Sequence, residues 1–511
     1  MGNEVSAVAG EEQSVEGTPE ARRRDPTPLP DDCITLAHNL KPTGVLLTPG
    51  AQEYEVARTW QAWNNMSSGI PSGIVLATAP ADVQAAIIYA AQHNLDLCVT
   101  VARQSQYCMN DNALVLDMSR MTECTVDATR KTATVQAGTR WGDLDGKCEA
   151  VKLATTGAMD PNASVIGTAL HGGHGFLERM FGLVSDNVMS AEVVLADGQV
   201  VIASPGLNED LYWGIRGGGG NLGVVVSMTL SLFELPNDGD LFGHVLTHRI
   251  SWTTPSRLTL LERYLDAAKE ASDPLALCVT LHGQGTVREA AVWINDDFEI
   301  AERYLPPKPA FLEEILGGFA VPPPVETINY WSDLQRLGPL LGEDGTGLDP
   351  GNYFVQRVLC RARMAEVALD IAIAAEHSPN TSSFVTIQLL GGAAAEPHAN
   401  ATAVAHRHAR HLVTIVGKWN AHHEKHPVCA WVGELYHQLC IHSMDGVHEP
   451  VLPAPLHQPS THKPEDGEQE PVFVSSFGCN HDDLVDLKRK YDPGNVFHMN
   501  DNIDPNPQPA F

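Results

Sequence analysis

The sequence predicts an α+β fold divided between two domains, and three observations carry that reading. The chain has 511 residues, more than one hydrophobic core ordinarily organises. Between residues 74 and 233, short apolar runs of strand length alternate with a helix and several glycine-rich loops. From about residue 237 the composition shifts towards histidine, proline and helical periodicity, as a second domain would show.

The elements follow in order. Residues 1–30 are polar, contain proline and lack periodicity, so they are expected to form a disordered tail. Residues 74–76 (IVL) form a short apolar strand. Residues 79–94 read as a helix, because Val83, Ile87, Ile88 and Ala91 fall on one face at helical spacing. Residues 97–101 (LCVTV) and 114–118 (LVLDM) read as buried strands. Residues 132–138 (TATVQAG) alternate as a half-buried strand does, and 141–152 form a short amphipathic helix. The run 191–195 (AEVVL), the turn Asp197-Gly198 and the run 200–202 (VVI) make a hairpin signal. An alternating run over 222–233 closes the region. Residues 306–324 and 451–470 read as long loops, and 482–490 as a helix stopped by Asp492-Pro493-Gly494.

Composition narrows the function. Hydrophobic residues make up 43% and charged residues 19%, which excludes a disordered chain. Acidic residues outnumber basic ones by 63 to 33, and a net charge of −30 repels phosphate backbones, so no nucleic-acid partner is expected. Ten scattered cysteines show no CxxC pair, which argues against a zinc knuckle, a thioredoxin motif or a disulfide scaffold. His406, His408 and His411, and then His422, His423 and His426, have chelating spacing, but no cysteine or carboxylate pattern surrounds them, and no metal is expected. No apolar run reaches the roughly 18 residues of a membrane span, and no secretory leader is evident, so an intracellular protein without a membrane partner is expected.

Three loops are candidate sites. His171-Gly172-Gly173-His174-Gly175 precedes a helical stretch over 176–181, where bare backbone amides could approach an anion; a tight turn is the plain alternative. In Arg216-Gly217-Gly218-Gly219-Gly220-Asn221-Leu222-Gly223, the glycines 218, 220 and 223 match GxGxxG. The nucleotide fingerprint needs a helix afterwards, and the run Val224-Val225-Val226 is a strand, so that reading is rejected in favour of a flat group lying against the backbone. The third loop, Ala102-Arg103-Gln104-Ser105-Gln106-Tyr107, joins two buried strands and has no glycine.

These residues resemble the berberine-bridge-enzyme-like branch of the vanillyl-alcohol-oxidase superfamily of flavoproteins. The segments that carry the resemblance run in family order: 52–64 (QEYEVARTWQAWN), 114–121 (LVLDMSRM), 138–144 (GTRWGDL), 167–186, 190–198 (SAEVVLADG), 210–226 (DLYWGIRGGGGNLGVVV), Gly391-Gly392-Ala393, 402–407 (TAVAHR) and 487–503 (LKRKYDPGNVFHMNDNI). The resemblance implies a two-lobed PCMH-type FAD-binding domain over 31–236, a substrate domain over 237–481 with an antiparallel sheet flanked by helices, and a segment 482–511 that returns to the FAD domain. It places FAD against Arg103, Gln104, Ser105, Gly167, Gly172, Gly173, Gly175, Gly219, Gly220, Asn221, Gly223, Asn500 and Asn502. It also implies hydride transfer from a small organic molecule to flavin, with O2 as acceptor.

Two departures qualify the resemblance. The family commonly reads Arg-Gly-Gly-Gly-His-Ser in its first flavin loop, with the histidine bonded to the flavin. Aligning Val99 and Ser105 puts Val101, Ala102 and Arg103 at the glycines and Gln104 at the histidine, and Ala163 stands where many members bond flavin through cysteine. A noncovalent FAD is therefore expected, with Arg103 pairing with a phosphate. The family's tyrosine-bearing strand has no visible counterpart. His481, which follows Cys479-Asn480, and His174 are the imidazoles nearest the motifs and the candidates for catalysis. The alternatives to an oxidoreductase are a non-redox cyclase or isomerase on the same scaffold, or a binding protein that has lost flavin.

Overall fold

Buried parallel strands need apolar residues on both faces, and the segment beginning at residue 73 supplies them. The computed structural model describes residues 27–40, 43–59, 69–103, 106–234, 241–249, 254–283, 286–293, 326–328, 351–360, 364–442 and 477–507. The residues expected to form most of the amino-terminal tail, both long loops, and Gln104 and Ser105 lie outside them. Gly73–Leu76, Leu114–Asp117 and Leu97–Thr100 pair in parallel, and Val45–Leu47 adds an antiparallel edge. Pro80–His93 makes the crossover helix between Gly73–Leu76 and Leu97–Thr100; Asp82 accepts the Thr78 and Ala79 amides at its start. The helix stops at Asn94, which takes a left-handed conformation at φ 49°.

A second sheet is antiparallel throughout, in the order Cys124–Asp127, Thr132–Gln136, Val224–Ser231, Val188–Val194 and Val200–Ala203. The expected hairpin is present: Val194 pairs with Val200, and Gly198 turns the chain at φ 83°. The strand expected to follow the four glycines is also present as Val224–Ser231, which is why that loop cannot be a Rossmann turn. The helix expected over 176–181 is shorter, Glu178–Phe181, because Gly175 still lies in the preceding turn.

The third sheet has seven antiparallel strands, in the order Glu326–Ile328, Leu241–Arg249, Thr286–Trp293, Leu275–His282, Phe384–Leu389, His411–Trp419 and Asn352–Cys360. Helices Thr254–Glu270, Met364–Glu376 and Lys425–His442 share its apolar core, in which Leu261, Ile371, Val413 and Leu435 are almost wholly enclosed. The fold is α+β: two small sheets form the amino-terminal lobes, and a large antiparallel sheet with helices forms the second domain. The carboxy-terminal helix His481–Tyr491 does not join the large sheet. Leu484, Val485 and Leu487, with Phe497 and Ile503 beyond the helix, enter the core of the amino-terminal lobes. Full burial of a leucine such as Leu484 contributes roughly 1.5–3 kcal/mol, so the docking is firm.

Candidate functional site

Where the amino-terminal lobes meet the large sheet, a small cleft of about 60 Å³ opens to solvent. One wall carries His171, His174, Glu178, Leu183 and Gly217; the other carries Leu359, Leu390, Ala394 and the stretch from Ala403 to Arg407. Gly391, Ala409, Phe477 and Asp501 also line it.

Buried cations hold the walls together. Arg179 reaches across to the large-sheet side, donating from Nε to the Leu275 carbonyl (2.9 Å), from Nη1 to Leu390 (2.6 Å), and from Nη2 to Ala271 and Ser272 (3.2 Å each). Burial pushes its guanidinium below the ordinary arginine value, with Asp273 opposing the shift. Arg407 reaches back the other way and grips Asp186 with both terminal nitrogens, at 2.9 and 2.5 Å. Arg216 donates to the Ala401 carbonyl, and burial likewise lowers its value.

The glycines divide by what surrounds them. A Cβ on Gly175 would stand 1.8 Å from the Gly157 carbonyl oxygen, and on Gly173 2.7 Å from Val184. On Gly172 it would meet Val404 at 3.0 Å, and on Gly223 it would meet Val193 at 2.6 Å. At these four, protein atoms fill the space a Cβ would take, so packing alone accounts for glycine there. Gly219 and Gly220 differ. A Cβ on Gly220 would meet nothing nearer than Asn500 Nδ2 at 3.8 Å, and on Gly219 nothing nearer than His171 Nε2 at 3.4 Å. Asn500 Oδ1 is buried without a partner beside them. His171 must donate from Nδ1 to the Gly167 carbonyl (2.9 Å), so the neutral ring turns an acceptor Nε2 towards Gly219.

Several expectations are corrected. Arg103, standing at φ 52° and buried, gives its guanidinium to Asp117 at 2.8 Å, so the expected phosphate partner is replaced by a carboxylate. The Asn221 amide ties down the carboxy-terminal segment: Nδ2 donates to the Gly218 and Asp501 carbonyls, and Oδ1 accepts from the Ile503 amide. Asn502 is exposed. His481 begins the carboxy-terminal helix with Asp482 3.6 Å away and lines no part of the cleft, whereas His174 does. Gly167 sits inside the helix Val165–Leu170, where its amide donates to Ser164 Oγ.

Sequence reasoning missed Glu178. Its Oε2 accepts from His174 Nδ1 at 2.9 Å and from the Gly175 amide at 3.1 Å, while the carboxyl is 1% exposed. Its four-residue offset from His174 was the available signal, though the pair bridges a turn rather than one continuous helix.

The Gly219-Gly220 crevice suits a flat group that carries a hydrogen-bond donor. Two bare glycines leave a flat approach, and an unmatched amide oxygen beside them awaits a donor. The fold and this crevice together define a PCMH-type flavoprotein.

Comparison with known proteins refines the class. The FAD binding domain family matches residues 71–204, and the berberine and berberine-like family matches residues 469–504. An FAD-linked oxidoreductase of Dictyostelium discoideum is 27% identical across 90% of this chain and 95% of its own length. The (R)-6-hydroxynicotine oxidase of Paenarthrobacter nicotinovorans is 33% identical over 41% of this chain and 46% of its own. These matches support a berberine-bridge-enzyme-like FAD-linked oxidoreductase. Among solved structures, glucooligosaccharide oxidase from Acremonium strictum has the same fold, with a TM-score of 0.74 at 19% identity over 91% of this chain and 98% of that one.

That structure corrects the expectation of an untethered flavin, because it describes a 6-S-cysteinyl, 8α-N1-histidyl FAD. The expectation rested on two single positions, Gln104 and Ala163. It assumed an unbroken register through a turn in which Arg103 takes a left-handed backbone. Attachment depends on which nucleophile the loop backbone carries to the ring, and two substituted positions do not settle that.

Proposed function

We propose that the interlobe cleft oxidises a small, mainly apolar organic molecule at a carbon bearing hydrogen, with O2 as the final acceptor. The observation that carries this reading is the open Gly219-Gly220 backbone beside His171, a residue that also lines the cleft walled by the opposite domain. FAD, when bound, supplies the hydride acceptor. The chain's own residues do the rest. Gly219 and Gly220 admit a flat ring, and the Asn500 Oδ1 accepts one of its donors. Leu183, Leu359, Leu390 and Phe477 exclude water and hold an apolar substrate body. His171 and His174 supply polar contacts for orientation.

The test is anaerobic mixing of the FAD-loaded protein with 6-hydroxynicotine, cellobiose and benzyl alcohol, chosen to span amine, sugar and apolar alcohol chemistry. Bleaching of the visible flavin band by at least one probe, with peroxide formed once air is admitted, is the expected result. A fully loaded protein whose band survives all three refutes this reading of the cleft.

A further inference from the structure

We propose that Glu178 and His174 form a dyad whose imidazole Nε2 accepts the hydroxyl proton of an alcohol substrate in this cleft. The inference rests on the oxidative reading above and adds the base and the functional group on which it acts.

The geometry fixes the tautomer. A carboxylate has no proton to donate, so the 2.9 Å contact requires the hydrogen to sit on His174 Nδ1. The neutral ring therefore presents a lone pair at Nε2, which has no protein partner among the described residues. His174 keeps 16% of its side chain exposed and lines the cleft, which Glu178, only 1% exposed, also borders. The spacing is rigid. The Gly175 amide holds the same carboxylate oxygen, and the Gly157 carbonyl lies so near Gly175 that the intervening backbone has no freedom to drift. Arg179, the next residue, anchors the helix to the opposite domain.

The chemistry balances. The substrate O–H bond breaks and its proton moves to His174 Nε2. The hydrogen on the carbinol carbon leaves with its electron pair to FAD, and the C–O bond becomes a carbonyl. The imidazolium that results sits against the Glu178 carboxylate, so a lone buried charge becomes a buried ion pair, and burial assists the proton's arrival. Glu178 is a positioning residue: it touches the imidazole and not the reacting atoms.

The test uses the FAD-loaded protein. Nitrogen NMR of the histidine rings, with His174→Asn for assignment, should show His174 protonated at Nδ1. Glu178→Gln keeps a carbonyl acceptor and should retain that tautomer, whereas Glu178→Leu should lose it. Diethylpyrocarbonate acylates unprotonated imidazole nitrogens. Its reaction at His174, followed by mass spectrometry, should slow about tenfold in Glu178→Leu and change little in Glu178→Gln. Anaerobic flavin reduction by benzyl alcohol should fall by about the same factor in Glu178→Leu through kcat, with KM nearly unchanged. A wild-type His174 protonated at Nε2, or acylated equally fast in all three proteins, overturns the dyad. If the tautomer is as stated but benzyl alcohol never reduces the wild-type flavin, the alcohol assignment falls; if 6-hydroxynicotine and cellobiose fail as well, the oxidative reading falls with it.

Discussion

Replacing Arg179 by methionine tests whether the cleft is held shut by one side chain. The guanidinium is 3% exposed and makes four hydrogen bonds to carbonyls on the large-sheet side, two of them from Nη2. Bonds from a charged donor each contribute about 1.5–3 kcal/mol, but the four share one desolvated cation and are not additive. Methionine fills most of the volume and removes the desolvation cost, yet leaves carbonyls unmatched. A net loss of about 3–5 kcal/mol follows, which is large against the roughly 5–15 kcal/mol that a folded domain holds. Arg179→Lys can reach only part of the fan and should lose about half as much. Urea unfolding followed by the fluorescence of the nine tryptophans measures this, and the rate of FAD release measures whether the lobes have loosened. A methionine variant within about 1 kcal/mol of wild type, with unchanged flavin release, refutes the argument that Arg179 clamps the lobes.

Further outcomes follow from packing and burial. Gly175→Ala puts a methyl 1.8 Å from a backbone oxygen that cannot rotate aside, so soluble yield should collapse or stability fall by more than about 3 kcal/mol in thermal unfolding. Gly146→Ala, inside helix Trp141–Glu149 with nothing within 4 Å of the new Cβ, should instead raise stability by about 0.5–1 kcal/mol. Lys488→Met removes one member of a fully buried pair 2.7 Å from Asp492, and urea unfolding should show a loss of about 3 kcal/mol or more. His411 is buried with neither ring nitrogen bonded, and burial, with Arg410 and Arg179 nearby, lowers its pKa from 6.5 to about 4. Between those values the unfolded chain binds the proton and the folded chain does not. Stability is therefore full above pH 6.5 and is lost as pH falls towards 4, by about 3 kcal/mol in all. His411→Phe should flatten that part of the unfolding profile, and an unchanged slope would count against the account.

The strands and the crossover helix were legible because one-dimensional periodicity specifies them. The hairpin at Asp197-Gly198 and the strand after the four glycines followed from turn chemistry and from the identity of Val224, Val225 and Val226. The division of labour within the glycine runs was not legible. Gly217, Gly218 and Gly223 answer to Val404, Leu484 and Val193, all distant in sequence, while Gly219 and Gly220 face open space. The same holds for Arg103, whose partner Asp117 lies one strand away across the parallel sheet. His481 was chosen for its neighbourhood in sequence, but Asn480 turns the chain there by bonding to the Ala399 and Thr402 carbonyls, and the ring is left outside the cleft.

The distribution of buried cations bears on how this chain holds a phosphate. It has only 33 basic residues against 63 acidic ones, yet Arg103, Arg179, Arg407 and Lys488 are all buried. Each is bound to a carboxylate or to backbone carbonyls: Arg103 to Asp117, Arg407 to Asp186, Lys488 to Asp492 and to the Asn221 and Phe497 carbonyls, Arg179 to the large-sheet side. A cation so bound contributes little to an incoming anion, because the charge it would offer is already balanced. Lys488 and Asn221 show where that charge goes instead. Between them they hold the glycine run to the carboxy-terminal segment that carries Asn500. In this chain these four interior basic residues shape the crevice rather than offer free charge to it.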